Sequence, residues 1–363
     1  MGIIRILFIA DTHLGIDHAF RPRIERRRRG PEFFANFKRA LKPAVEGRVD
    51  AVVHGGDLLY RSKVPARLVA MAFEPLKAVA EQGVPVYLVP GNHERSAIPH
   101  QQLARHPRIH IFDRPRSFVL RKGGFTLALS GLPFVRQGIR RAFSELLDKT
   151  GWQEVTDSAH VLCIHQAVDG ATVGPLGYRF RYAADVVNPA DVPRGICAVL
   201  SGHIHRFQVL TRDLQGRALR TPVLYPGSIE RTSFAEKHEK KGYLIVEFEA
   251  RTSVGGLRKW RFMRLPVRPM VQLELRLDGM KAPELTAWIQ SRIRHLPADS
   301  IVKLKVHGTA SREAMEVLRA ASLRSLAPPT MKIEASLADR YFHRPRWDSK
   351  KSSKLSTNSA IKR

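Results

Sequence analysis

The chain has 363 residues, and 44% of them are hydrophobic, which is ordinary for a folded protein and excludes wholesale disorder. Its 61 Lys and Arg residues outnumber its 33 Asp and Glu residues, and the net charge of +28 predicts a polyanionic partner, most simply nucleic acid. The two cysteines exclude a disulfide framework and a zinc ribbon. Because there is neither an apolar run of about 18 residues nor a signal-peptide pattern, we expect a cytoplasmic protein that does not span a membrane.

Short apolar runs alternate with helical patterns through the first two thirds of the chain, which predicts a layered α/β domain over residues 1–264. The predicted strands cover residues 3–10, 51–54, 84–89, 125–130, 161–165, 198–201, 223–225 and 243–248. The predicted helices cover residues 32–42, 66–81 and 137–148, and Pro75 predicts a kink or break in the second.

A second pattern begins near Leu265, after which strand and helix signals alternate over a short stretch. The predicted order is a strand at 271–277, a helix at 284–295, a strand at 301–306, a helix at 312–322 and a strand at 331–335. This pattern predicts a small α/β domain over 265–342. The remaining residues, 343–363, are polar and basic, which predicts a disordered tail.

Metal-type ligands stand just after five of the predicted strands. They are Asp11 and His13, then Asp57, then Asn92 and His93, then His165, and finally His203 and His205. The carboxyl ends of strands in an open α/β sheet gather functional groups at one edge, so we expect these side chains to meet. Each alone is a common loop residue, but the ordered set is specific, and oxygen ligands with imidazoles and no thiolate suit Mn, Fe or Zn.

This series of motifs resembles the calcineurin-like metallophosphoesterase superfamily. The resemblance implies a four-layer αββα sandwich that binds two divalent metal ions, which we expect to be Mn²⁺. Asp11, His13, Asp57 and His205 would hold the first ion. Asp57, Asn92, His165 and His203 would hold the second, so that Asp57 bridges the two. His93 would instead contact the phosphate and protonate the leaving oxygen.

Three further segments narrow the resemblance: DTHLG at residues 11–15, IHQ around His165, and YPGSIERTSF at 225–234. They resemble the DNA double-strand-break repair nucleases of the SbcD and meiotic recombination eleven type. The resemblance implies exonuclease or endonuclease action on DNA by two-metal activation of water, and a small capping domain that begins near Arg268–Pro269. It also implies an SbcC-type ATPase partner and a homodimer, although no amphipathic docking helix is visible after the predicted cap.

The chain departs from that nuclease family after the bridging aspartate, where GDLLY replaces GDLFH and puts Tyr60 in place of a histidine. In the family this histidine helps to position DNA for exonucleolytic cutting, so its replacement by Tyr60 argues against exonuclease action here. Tyr60 is interpreted as a DNA contact, and an ordinary residue at the rim is the alternative.

An arginine run follows the first ligand motif, and we interpret it as a phosphate-binding loop rather than a solvated surface. Its members are Arg21, Arg23, Arg26, Arg27, Arg28 and Arg29.

Two other functions stay open at this point. One is a different phosphoesterase, such as a protein phosphatase or a cyclic-nucleotide phosphodiesterase, which the net charge and the second domain argue against. The other is a DNA-binding relative without catalysis, which the intact ligand set argues against.

Overall fold

The computed structural model describes residues 2–18, 28–94, 103, 105–250, 256–309 and 311–337. The predicted tail at 343–363 and four residues of the arginine run, Arg21, Arg23, Arg26 and Arg27, lie outside the described residues.

The strands alternate in the direction of their side chains, and this alternation explains why the first sheet is buried on both faces. In the first strand, Ile6 and Phe8 pack against a second sheet, whereas Leu7 and Ile9 pack against helices, and all four are fully buried. The strands in chain order are β1 (Ile3–Ile9), β2 (Ala51–His54), β3 (Val86–Leu88), β4 (Ile109–Ile111), β5 (Arg116–Lys122), β6 (Phe125–Gly131), β7 (Ala159–Ile164), β8 (Ala167–Val168), β9 (Thr172–Val173), β10 (Tyr178–Arg179), β11 (Val186–Val187), β12 (Ile196–Ser201), β13 (Gln208–Arg212), β14 (Ala218–Tyr225), β15 (Gly242–Glu249), β16 (Leu257–Arg264), β17 (Met270–Arg276), β18 (Ile301–His307) and β19 (Lys332–Leu337).

The described helices are six in number. They are α1 (Gly30–Val45), α2 (Ala66–Glu81), α3 (Ile139–Asp148), α4 (Ala282–Ile293), α5 (Arg312–Val317) and α6 (Ala320–Leu326).

Two six-stranded sheets form the body of the protein, with strand orders β16-β15-β1-β2-β3-β4 and β13-β14-β12-β7-β6-β5. The strands β1 to β4 are mutually parallel, and so are β6, β7, β12 and β14. Each parallel set therefore presents its carboxyl ends at one edge, where loops can carry functional groups.

Three apolar clusters separate four layers. The first cluster joins α1 and α2 to the outer face of the first sheet, the second fills the space between the sheets, and the third joins α3 to the outer face of the second sheet. The predicted αββα sandwich is thereby confirmed.

A small α/β unit follows the body, with the parallel sheet β17-β18-β19 and the helices α4 to α6 around its own apolar cluster. Arg268 connects it to the body, because its guanidinium contacts the carboxylate of Glu32 in α1 at 2.6 Å and also donates to the carbonyl of Thr330 at 2.8 Å. Lys332 adds a second ion pair, with Asp17, at 2.9 Å.

Two predicted helices differ from the structure. The helix α2 runs without a break through Pro75, where a kink or break was predicted, because the buried face on both sides of Pro75 holds the turn in the first apolar cluster. The helix predicted at 312–322 is wrong as a single element, since Arg319 adopts an extended backbone and separates α5 from α6. This break lets both Leu318 and Leu323 reach the same core.

Within the described ranges, no helix is both long and apolar enough to cross a membrane.

Candidate metal centre

The parallel strands of both sheets deliver the predicted site residues to one place. The two residues after β1, Asp11 and His13, and the residue Asp57 after β2 come from the first sheet, as do Asn92 and His93 after β3. The second sheet supplies His165 after β7, and His203 and His205 after β12. Side chains of the two groups contact one another directly and so join the sheets at this point.

The backbone at this point is unusual. Among the described residues, seven that are not glycine have a positive φ, and four of them are Asp11 (50°), His13 (42°), Asp57 (54°) and His203 (83°). Residues other than glycine rarely adopt this region, and such strain gathers at functional sites. The surrounding strands hold these side chains in place at a cost in backbone energy.

Two glycines allow the loops to approach one another closely. A side chain at Gly56 would place its Cβ 2.3 Å from Nδ1 of His165, and one at Gly91 would place it 2.3 Å from Oδ1 of Asp57. Gly56 also has a φ of +103°, so only glycine fits there without strain. The glycines of the GGD and GNH motifs are therefore requirements of the site's packing.

The polar atoms of the site lie within contact distance of one another. Nε2 of His13 is 2.8 Å from Nε2 of His205, and Oδ1 of Asn92 is 3.0 Å from Nε2 of His165. The same Asn92 oxygen lies 2.9 Å from Nδ1 of His203.

Asp57 occupies the middle of the group. Its Oδ2 is 3.5 Å from Nε2 of His165, 3.9 Å from Nε2 of His13 and 3.8 Å from Nε2 of His93. Its other oxygen, Oδ1, accepts the backbone N–H of His93 at 2.9 Å. The backbone N–H of His203 donates to both carboxylate oxygens of Asp11, at 3.1 Å each.

The charges in this buried site are strongly coupled. Burial alone would raise the pKa of Asp57, but the nearby His165 and His13 outweigh it and hold the pKa well below the usual range. Burial alone would lower the pKa of His165, yet the carboxylates of Asp57 and Asp11 raise it to about 9. Burial and the charge of His165 lower the pKa of His203 to about 3, which keeps that imidazole neutral and free to act as a ligand.

The donor set fits divalent metal ions. Three groups of ligand atoms lie within 4.8 Å of one another: Asp11, His13 and His205; His13, Asp57 and His93; and Asp11, Asp57 and His165. Two of these groups share Asp57, and carboxylate oxygens mixed with imidazole nitrogens are ligands that Mn, Fe and Zn accept. The Nδ1 of His13 is buried without a hydrogen-bond partner within the described structure, whereas its Nε2 lies 2.8 Å from Nε2 of His205, so Nε2 is the nitrogen that faces the other donors of the site.

The ring of His93 is held differently from the other imidazoles. Its Nδ1 contacts the backbone carbonyl of Tyr60, which leaves Nε2 as the nitrogen that faces Asp57. Its side chain is 36% exposed, whereas those of His13 and His165 are 3% and 0% exposed. His93 is therefore more accessible to a bound phosphate ester than either of those two imidazoles.

Sequence reasoning missed a buried ionic network beneath His205. Oε1 of Glu236 lies 3.1 Å from Nδ1 of His205, and the Nζ of the fully buried Lys241 lies 2.5 Å from Oε2 of Glu236. Burial alone would raise the pKa of Glu236, but its bond to His205 and the charge of Lys241 lower it instead. An ionised Glu236 orients the imidazole so that Nε2 points into the site, in the manner of carboxylates that support metal-binding histidines.

A second missed carboxylate joins two of the site's loops. Glu94 accepts the backbone N–H groups of Leu59 at 3.0 Å and Gly91 at 2.9 Å. Glu94 directly follows the GNH motif and lies two residues after Asn92. This position was the only feature of the sequence that could have indicated a role for Glu94 in the site.

The residues predicted to contact DNA take three different positions. Tyr60 is half-buried at the rim, with the guanidinium of Arg61 4.7 Å from its ring centroid. Arg28 is exposed and pairs with Asp17 at 2.9 Å. Arg29 is buried, with its guanidinium donating to the carbonyl of Arg231 and contacting Glu230, so we leave it out of the proposed DNA contacts.

Comparison with known proteins identifies the class. The sequence profile of the calcineurin-like phosphoesterase family matches residues 4–207, and the chain belongs to this family of metal-binding hydrolases. The match contains every predicted site residue from Asp11 to His205.

Among particular relatives, the chain is similar to proteins named DNA double-strand break repair protein Mre11. It is 26% identical to that of Aeropyrum pernix over 76% of this chain and 64% of the relative. It is 28% identical to that of Haloferax volcanii over 93% of this chain and 67% of the relative. The chain spans about half to two thirds of the length of the curated relatives that it matches. A solved structure, TT1561 of Thermus thermophilus, matches with a TM-score of 0.44 and 14% identity, over 72% of this chain and 99% of that one.

Proposed function

We propose that the chain is a metal-dependent DNA nuclease that acts in DNA repair. The observation that carries this proposal is the meeting of carboxylate, amide and imidazole groups from five strand ends in a strongly basic protein. The similarity to break-repair proteins supports DNA as the substrate rather than a phosphoprotein or a cyclic nucleotide.

The proposed organisation has three parts. Residues 1–264 form the nuclease domain, residues 265–342 form a cap, and residues 343–363 form a basic tail. An SbcC-type ATPase partner and a homodimer stay predictions for the whole protein.

The proposed ligands divide between two ions, for which Mn²⁺ is the expected metal. Asp11, His13, Asp57 and His205 hold one, and Asp57, Asn92, His165 and His203 hold the other. When bound, such a pair of ions activates a water molecule and neutralises charge on the phosphate.

The chain's own residues then contribute in three ways. Asp57, which must stay an ionised acceptor to serve both ions, has the lowered pKa that this role needs. His93 presents its Nε2 to the leaving oxygen and donates a proton there. Tyr60 and Arg28 contact the DNA strand outside the ligand set.

The proposal is tested with Asp57→Asn, which we expect to abolish both metal content and hydrolysis without unfolding the chain. Asp157→Asn is the matched control, because Asp157 is exposed and has the same φ of 54° as Asp57. Each variant is assayed with Mn²⁺ on linear duplex DNA, single-stranded DNA and a small phosphodiester, and its metal content is measured by elemental analysis.

Three outcomes would contradict the proposal. Hydrolysis of the small ester without any hydrolysis of DNA would identify a different phosphoesterase. DNA binding without hydrolysis of any substrate would identify a non-catalytic relative. Full metal content in an active Asp57→Asn variant would show that Asp57 is not a metal ligand.

A further inference from the structure

A short hairpin, β9 and β10, forms a two-stranded sheet of its own beside the candidate metal centre. Three large apolar side chains in and just after it are exposed: Leu176 by 98%, Tyr178 by 61% and Tyr182 by 62%. Exposed apolar residues are ordinary when scattered, but three of the eight found among the described residues fall within one stretch of seven. Such a cluster indicates a binding surface.

The base of the hairpin is tied to the strand end that carries His203 and His205. Gln208 forms three hydrogen bonds with Thr172: it accepts the backbone N–H at 2.9 Å and the hydroxyl at 3.2 Å, and it donates to the carbonyl at 2.9 Å. Arg206, directly after His205, donates to the hydroxyl of Thr172 at 3.4 Å. The hairpin therefore has a fixed position relative to the site.

Aromatic rings lead from the hairpin to the site. Tyr178 and Phe180 have ring centroids 5.3 Å apart, and Phe180 lines a cavity of about 750 Å³ together with Phe134, Asn92 and His203. The Phe134 ring lies 5.6 Å from that of His203. A cavity of this size is within the range of ligand sites and can hold a nucleobase with its sugar.

The charge around these rings is mainly positive. Arg136 is exposed and lines the cavity, and Arg179 and Arg181 are exposed between the aromatic residues of the sequence YRFRY. Within the described structure, no carboxylate forms an ion pair with any of these three arginines. The acidic residue that lines the same cavity is Asp185.

We infer that Tyr178, Phe180 and Phe134 form a stacking path that holds single-stranded DNA and leads it into the metal centre, with Arg136, Arg179 and Arg181 on its phosphates. Aromatic rings beside positive charge bind single strands because every unpaired base offers a flat face, whereas a duplex hides those faces. This inference rests on the proposed nuclease function and adds to it the form of substrate that the site receives.

The test measures binding without cutting. The probe is a fluorescein-labelled oligothymidylate of about 20 nucleotides, longer than the ~4–16 nucleotides that one such groove covers, and anisotropy is read in the presence of EDTA. Tyr178→Ala should weaken its binding by roughly five- to 150-fold, the range for losing one stacked base, whereas Tyr178→Trp should retain it. Phe180→Leu keeps an apolar side chain in the half-buried position and should weaken binding in the same way.

An abasic oligonucleotide of equal length separates stacking from charge. Tyr178→Ala should bind this probe as the wild type does, because no base is left to stack. The double change Arg179→Ser and Arg181→Ser should make the slope of log affinity against log salt shallower by about 0.7 for each phosphate that the arginines no longer neutralise. The control, Arg121→Ser with Lys122→Ser, removes two charges from the β5–β6 hairpin, at the edge of the second sheet opposite to β13, and should leave the slope unchanged.

Several results would overturn the stacking path. They are an unchanged affinity in Tyr178→Ala, an equal loss on the abasic probe, or tighter binding of an RNA of the same length. If the wild type sediments as a dimer, and Tyr178→Ala sediments as a monomer with unchanged DNA affinity, the hairpin would instead be an interface between copies of the chain. If any of these contrary results is obtained and the wild type still cuts DNA with Mn²⁺, the stacking path is wrong and the proposed nuclease function stands. A wild type that neither binds nor cuts DNA contradicts the proposed function as well.

Discussion

At the scale of single residues, His93 differs from its neighbours in exposure and in the partner of its ring. Replacing it with alanine should leave metal content unchanged and reduce hydrolysis by about 10²–10⁴-fold, the usual contribution of a general acid. Elemental analysis and initial rates on the same sample check both parts. Loss of metal from His93→Ala would make His93 a ligand, as its place in one of the three possible ligand groups allows.

The meeting of the predicted ligands could be predicted from the sequence, because each ligand follows an apolar run that ends at a glycine or a short polar motif. The residues that orient the ligands could not be predicted in this way. Glu236 and Lys241 lie 31 and 36 residues from His205, and no spacing in the chain indicates that these three will meet. The burial of Arg29 was equally hidden, since a run of arginines gives no sign of which member will turn inward to Arg231.

At the scale of elements, the segment between β14 and β15 depends on one buried cation. Lys241 contacts Glu236 at 2.5 Å and Glu239 at 3.1 Å, and it donates to the carbonyl of His205 at 2.9 Å. Lys241→Met should lower the free energy of unfolding by about 3–5 kcal/mol, because it leaves buried carboxylates without their partner. It should also weaken metal binding through His205.

The neighbouring variant Lys240→Met is the control, since Lys240 is exposed. Urea unfolding followed by circular dichroism compares the two variants. Equal stability in both would show that the network under His205 contributes nothing to the fold.

The elements that the sequence predicted best are those buried on both faces, such as β1, β2, β7 and β12, because continuous apolar runs are distinctive. The strand β16 was missed, because an edge strand reading LRKWRFMR is mostly exposed and lacks an apolar run. The strands β3 and β4 have only three residues each, too few for a clear pattern, so the strand predicted at 84–89 extends beyond β3 and the strand β4 was missed. The break between α5 and α6 was missed because the spacing of apolar residues continues across it.

At the scale of the whole molecule, Arg268 joins the body to the C-terminal α/β unit, together with the ion pair between Lys332 and Asp17. Arg268→Ala should remove about 2 kcal/mol from their contact, the usual range for hydrogen bonds to charged groups, and so expose residues 265–270 more often. Thermolysin should then cut this junction roughly 30-fold faster. Arg276→Ala, an exposed arginine of β17, is the control, and equal cleavage rates in the two variants would argue against a joining role for Arg268.

The order of strands in the first sheet has a consequence for synthesis on the ribosome. The strand β1, which Asp11 and His13 follow, lies between β2 and β15, and β15 begins at Gly242. At about 5–20 residues per second, on the order of ten seconds or more separate the emergence of the first ligand from that of its neighbouring strand. Until β15 has emerged, β1 lacks one of the two strands with which it pairs, so we expect the complete site to form only after translation has passed β15.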